Sequence, residues 1–247
     1  MMSVIQAAEE ALGEQRMLRR MPGPKRKVFG FDIGLIALGC RSALLVDAVV
    51  VQDPENVYAD FLRILRQKHE IFNSIEHVLE PSSQQSFFVN TAHCKASVSA
   101  ADVSFVLLQK EPQLLDRPPP DILAALEKLK TATPLSLPNG LLPRTLTGLA
   151  AVLLGYSVGY VPDGDAAFLA QVALDVYACT VRASDWEYVH QLLKFSCPAA
   201  LGEAHPEQLA PARIVARLTT RLEPRLKELG LTLMVQHSTE TMDRVAL

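Results

Sequence analysis

No two of the four cysteines, Cys40, Cys94, Cys179 and Cys197, stand at C-x-x-C spacing. That excludes a zinc ribbon or a thioredoxin-type redox pair and fits reduced thiols in a cytoplasmic protein. Charge of one sign is also missing. Twenty-four Lys and Arg face 27 Asp and Glu, for a formal charge of −3. Such a balance gives no reason to expect nucleic acid or an anionic membrane as partner. The run Lys25-Arg26-Lys27 is too short to change this and reads as a solvated linker. The longest uncharged apolar stretch, Thr145 to Val161, is shorter than a membrane span and carries three glycines, so it reads as buried core. Glu9, Glu10 and Glu14 interrupt any secretory apolar core, and argue against a mitochondrial presequence despite Arg16, Arg19 and Arg20. H-E-x-x-H and G-x-G-x-x-G are absent. The expectation is a protein with no metal and no cofactor.

What is present is ordinary globular material: 247 residues, 49% apolar and 21% charged. That length accommodates one large α/β domain or two small ones, with a core that needs no metal or disulfide. Val4, Ala7, Ala8, Leu12 and Leu18 approximate a helical stripe over Ser3 to Met21, ended by Pro22-Gly23-Pro24. Ser42 to Val51 is a near-continuous apolar run, the pattern of a strand buried on both faces. Pro54 opens a helix carrying Val57, Phe61, Leu62 and Leu65. Ile75–Leu79, Phe87–Val89, Ser104–Leu108, Val158–Val161, Val172–Arg182 and Leu231–Val235 read as strands. Asp121–Lys130, Leu146–Leu154, Asp185–Lys194 and Glu207–Leu229 read as helices, the last disturbed by Pro211 and Pro224. Alternation with few hairpin signals predicts an α/β fold: a single layered domain over residues 28–247, with a mixed, largely parallel sheet of about six or seven strands flanked by helices. An N-terminal helix and linker precede it over residues 1–27.

The sharpest motif is Gly155-Tyr156-Ser157-Val158-Gly159, which matches the G-x-S-x-G nucleophile elbow. An elbow needs a strand before the serine and a helix after it, so that helix amides stabilise the oxyanion. The flanks fail this requirement. Pro162 and Gly164 cannot continue a helix from Gly159, and Pro143-Arg144 leads into a Leu- and Ala-rich segment that reads as a helix before the serine. Ser157 then becomes a small residue between a helix end and a strand, with Gly155 as the helix C-cap. A triad in hydrolase order remains writable as Ser157, Asp175 or Asp185, then His205 or His237.

The segment Leu146-Thr-Gly-Leu-Ala-Ala-Val-Leu-Leu-Gly-Tyr-Ser-Val-Gly-Tyr-Val161, with Arg41-Ser-Ala-Leu-Leu-Val-Asp47 and the closing Leu231 to Leu247, resembles an uncharacterised animal protein family. It is a domain of unknown function named after an open reading frame on human chromosome 1. The likeness runs from about Phe29 to Leu247. It implies proline as a frequent occupant of the Ser157 position, which makes this serine a departure from the pattern. It carries no activity, cofactor or catalytic residue to transfer.

Other candidates rest on residue chemistry. Asp47 lies inside an apolar run with Asp53 just beyond, where strand C-termini in α/β enzymes often place acids. A paired or helix-capping carboxylate is the plainer reading. Phe29-Gly-Phe-Asp-Ile-Gly34 distantly resembles a phosphate loop, but no Lys-Ser/Thr follows. His93-Cys94 beside Asn90 offers a nucleophile pair that sequence neighbours seldom realise. His69 and His77 are spaced for no common metal, and His190 reads as a polar edge. Trp186 and Tyr188 suit an interface anchor or sheet packing. Val245-Ala246-Leu247 fits a loose PDZ-ligand pattern. The reading that remains is a soluble cytoplasmic protein acting through an unknown protein partner. The alternatives are an enzyme site built from Asp47, Asp53, Asn90 and His93, or a hydrolase using Ser157.

Overall fold

The computed structural model describes residues 1–164, 168–169, 171–183, 189–242 and 245–246. The chain divides into two compact units. Unit one holds Met1–Val98 and Ala125–Leu141; unit two holds Ser99–Ala124 and Leu142–Leu247.

Unit one begins with α1 (Met2–Glu14), which buries Val4, Ile5, Ala8, Ala11 and Leu12, and α2 (Gly23–Ala37), with Pro24 in its first turn. The two helices pack at Gly30 and Gly34, one turn apart on α2. A Cβ at Gly30 would lie 2.8 Å from Glu9 Cγ, and one at Gly34 2.9 Å from Ile5 Cγ1. The Phe29–Gly34 glycines therefore serve a close helix crossing, and the segment is helical, not a phosphate loop. Helix α2 also runs straight through Lys25-Arg26-Lys27 and Val28. Beside it, Arg41 Nη1 meets Asp32 Oδ1 at 2.7 Å with both side chains nearly buried.

Strand β1 (Ala43–Leu45) is followed by α3 (Pro54–Lys68), whose N-cap Asp53 accepts the Asn56 N–H at 3.2 Å. Strands β2 (Ile75–Glu80) and β3 (Gln85–Asn90) form an antiparallel hairpin, and the sheet order is β1-β3-β2. The turn has no glycine. Gln84 takes the positive φ of 59°, and Ser83 N–H donates to Glu80 Oε2 at 2.5 Å. Phe88 of β3 collects Tyr58, Phe61 and Phe29 edge-on, with centroids 5.2, 5.8 and 6.0 Å away. Helix α4 (Thr91–Ser97) follows, capped by Asn90.

Unit two opens with β4 (Ser104–Leu108) and β5 (Gln113–Leu114); α5 (Pro120–Thr131) begins here and ends in unit one. Helix α6 (Pro143–Leu154) enters through proline and stops at Gly155, whose φ of 73° and ψ of 34° make it a left-handed C-cap. Strand β6 (Val158–Pro162) then runs parallel to β4. The two-residue β7 (Phe168–Leu169) precedes the long β8 (Val172–Ala183) and β9 (His190–Pro198). Helices α7 (Ala199–Ala204), α8 (Pro206–Leu209) and α9 (Pro211–Glu228) lead to β10 (Leu231–Met242) and β11 (Val245–Ala246). The orders are β5-β4-β6 and β10-β8-β9, with β11 paired to β7.

This corrects the expected sheet. In place of one largely parallel layer there are three three-stranded sheets and a two-stranded pair, and among the described residues β4–β6 is the one parallel pairing. The broad α/β composition holds. Two local readings fail with it. Ser42–Val51 supplies only the three-residue edge strand β1, and the segment expected to be a helix through Lys194 is strand β9 from His190 onward. Asp185, Trp186 and Tyr188 lie outside the described residues, as does Leu247. Among the described residues, no helix is long and apolar enough to cross a membrane.

Candidate functional site

Ser157 sits directly after the α6 cap and before β6, so the strand–serine–helix order of an elbow is reversed. Its side chain is fully buried, its Oγ has no hydrogen-bond partner, and its carbonyl accepts the Ser104 N–H at 3.0 Å. Among the described residues, no imidazole is hydrogen-bonded to that hydroxyl. The helix–serine–strand order is the one the flanking prolines suggested.

Asp47 is exposed beyond the end of β1, because the strand stops at Leu45. His93 is half-buried on α4, and its backbone N–H donates to Asn90 Oδ1 at 3.0 Å. Asn90 also donates Nδ2 to the Ile36 carbonyl at 2.9 Å, and Asp53 caps α3. The Asn56 side-chain and backbone donors hold the Asp53 carboxyl below its ordinary range. Asn90 and Asp53 are thus occupied as caps.

The four cysteines are buried, and none is in a disulfide. Burial pushes the Cys179 thiol up to about 11; burial and the neighbouring Asp175 push Cys197 up to about 12. Both stay protonated and poorly nucleophilic. Among the described residues, no three His, Cys, Asp or Glu side chains are grouped to hold a metal.

Buried polar chemistry gathers instead on one face of the β10-β8-β9 sheet. Antiparallel register sets Cys197, Asp175 and Thr239 in one cross-strand row and Phe195, Tyr177 and His237 in the next. Two of the residues that could be written into a triad, Asp175 and His237, do meet. Asp175 Oδ1 lies 2.8 Å from His237 Nε2 and accepts Thr239 Oγ1 at 2.9 Å. Of the two ring nitrogens of His237, Nε2 is the one that meets the carboxylate. The Asp175 side chain is 8% exposed and that of His237 28%, so the imidazole bridges a buried acid to solvent. The aromatic row continues from His237 to Tyr177 (5.2 Å), Phe195 (5.2 Å) and Tyr156 (5.4 Å).

Helix α9 packs beside this sheet. Ile214, Leu218, Leu222 and Leu226 recur every fourth residue and are buried. One position ahead of each stands an arginine: Arg213, Arg217, Arg221 and Arg225. Arg213 pairs with Glu207 at 3.2 Å and Arg225 with Glu228 at 2.7 Å, while Arg221 Nη2 donates to the Gly155 carbonyl. Arg217 differs. Its Nε and Nη2 are buried and have no partner among the described residues, and neither has the hydroxyl of the fully buried Tyr177. This fourfold arginine period is plain in the sequence. The reading by helix breakers alone passed over it.

No protein-family model, curated protein or solved structure matches the chain.

Proposed function

We propose that the protein is a cytosolic binding protein that receives an extended segment of a protein partner along the free edge of β10. The observation that carries this reading is the edge itself. Strand β10 is bonded to β8 over twelve residues, Leu231 to Met242, and among the described residues no strand pairs with its other side. From Gln236 to Thr241 every residue is exposed. Natural edges are usually blunted by lysine, proline or a bulge. This strand has no Lys, Arg, Pro or Gly, and its register with β8 is unbroken. Such an edge suits strand addition, in which backbone hydrogen bonds supply affinity and side-chain pockets supply selectivity.

A pocket lies beside it. Thr180, Arg182, Ala183, Val189, Thr232 and Met234 line a groove, with Val189 44% and Met234 48% exposed. Thr180 Oγ1 in that groove is buried and unpartnered. A partner side chain with an apolar body and a polar tip fits this lining. The test is affinity capture from cytosol with wild type, Met234→Lys and Thr232→Lys. Both positions are exposed, so the variants should melt within about 0.5 kcal/mol of wild type. The expected result is a partner retained by wild type and lost from both variants. An identical set of captured proteins for all three would end this reading.

A further inference from the structure

We propose, resting on the strand addition described above, that the groove beside β10 selects a glutamate side chain from the incoming segment. Side chains alternate across a strand, so Ala178, Thr180 and Arg182 of β8 share one face of the sheet. Cross-strand register sets Met234 opposite Thr180 and Thr232 opposite Arg182 on that face. Thr180, Arg182, Thr232 and Met234, with Ala183 and Val189, line a single groove of about 260 Å³. The other face of β8 carries Tyr177, Cys179 and Val181, all buried. The groove therefore lies on the more open side of the sheet, beside its free edge.

Two groups in the groove can donate to an acceptor. Thr180 Oγ1 is buried and has no hydrogen-bond partner among the described residues. Arg182 is exposed, and among the described residues no hydrogen bond or ion pair engages its guanidinium. It is the one charged side chain among the described residues of the lining. Lys194, exposed on β9 opposite Ala178, adds a second positive charge to the same face. The acid that β10 itself carries, Glu240, stands eight positions from Thr232, roughly 27 Å along the strand. Its Oε1 accepts Ser238 Oγ at 2.9 Å instead.

The occupant that answers both groups has an apolar body and an anionic tip. Ala183, Val189 and Met234 supply apolar wall for the body. An arginine gives a carboxylate two parallel N–H donors, and a hydroxyl adds a third. Glutamine offers one acceptor oxygen and no charge, so it answers the guanidinium poorly. Geometry separates glutamate from aspartate. A strand added to β10 lies about 4.8 Å beyond it, and so about 9.6 Å from β8. Thr232, small and directly between, leaves that path open. The two-methylene stem of glutamate, lying along Met234, covers more of the distance than the single methylene of aspartate.

The experiment selects displayed random decapeptides on the full chain and then measures the chosen peptides by fluorescence anisotropy. Wild type is expected to enrich peptides with alternating β-prone residues and one glutamate. Replacing that glutamate by glutamine should weaken binding about fivefold, the upper end for a partly exposed ion pair. Arg182→Gln should cost the glutamate peptide the same factor and leave the glutamine peptide unchanged, and Arg182→Glu should enrich lysine or arginine at that place. Arg182 is exposed, so both variants keep the fold, which circular dichroism checks. Peptides N-methylated at alternate amides test the strand itself: one of the two alternating sets should lose binding and the other keep it. If wild type enriches no peptide, or neither N-methylated set loses binding, the strand-addition reading falls and the glutamate pocket with it. If strand binding holds but the enriched peptides lack a glutamate, or their glutamate is indifferent to Arg182→Gln, strand addition stands and the glutamate pocket is overturned.

Discussion

Two arginines set the units apart. Arg41 in unit one has the Asp32 carboxylate at 2.7 Å inside its own fold. Arg217 in unit two has two buried nitrogens and no acceptor on either. Unit one has orphans as well, Arg41 Nε and Glu80 Oε1 among them, and His77 Nε2, packed 4.8 Å from the Tyr58 ring. Burial pushes the pKa of His77 down to about 4, so at neutral pH it is an uncharged imidazole and its isolation is tolerable. The difference between the units is thus one of charge. Unit one pairs Arg41 with Asp32 and keeps His77 uncharged. Unit two keeps a guanidinium facing an unfilled requirement. The first arrangement serves stability, and the second leaves two donors without an acceptor among the described residues.

The contrast can be broken by mutation. Asp32→Ala should strand the Arg41 charge and cost about 3–5 kcal/mol in urea unfolding. A loss near zero would mean that Arg41 is no better served than Arg217, and the distinction would disappear. Asn90→Ala is the next largest. It removes the α4 cap and the donor to the Ile36 carbonyl, for a loss of about 2–3 kcal/mol by the same measurement. Serine at this position, which can cap but cannot reach as far, should recover part of that loss.

The smallest effect is a pH dependence. His77 has a folded-state pKa near 4 against an ordinary 6.5, so as pH falls the unfolded chain takes up the proton first. The stabilisation is complete above 6.5, declines from 6.5 to 4, and is gone below. Over that window wild type should lose on the order of 2 kcal/mol more than His77→Phe. Parallel stability-against-pH curves for the two proteins would show that His77 is not the neutral group described here.

The helices α3, α5 and α6 were legible because their signals are local. Pro54 and Pro143 mark entries, a four-residue apolar period marks the buried face, and Gly155 marks a stop that needs a positive φ. The Ser157 flanks were legible for the same reason. The β2–β3 hairpin was not, because Gln84 occupies the left-handed turn position that glycine or asparagine usually announces. Asp47 misled because an apolar run specifies burial and not strand length: β1 ends two residues before it.

By itself, then, the sequence determined where several helices start and stop and that Ser157 follows one of them. Strand partners were decided only by tertiary structure. Alternation along a strand records which side is buried, but not whether the neighbour runs parallel or antiparallel. Asp175 reaches His237 across sixty-two positions, and Arg221 reaches the Gly155 carbonyl across sixty-six. Such pairings arise from the chain closing on itself, and no window of neighbouring residues contains them.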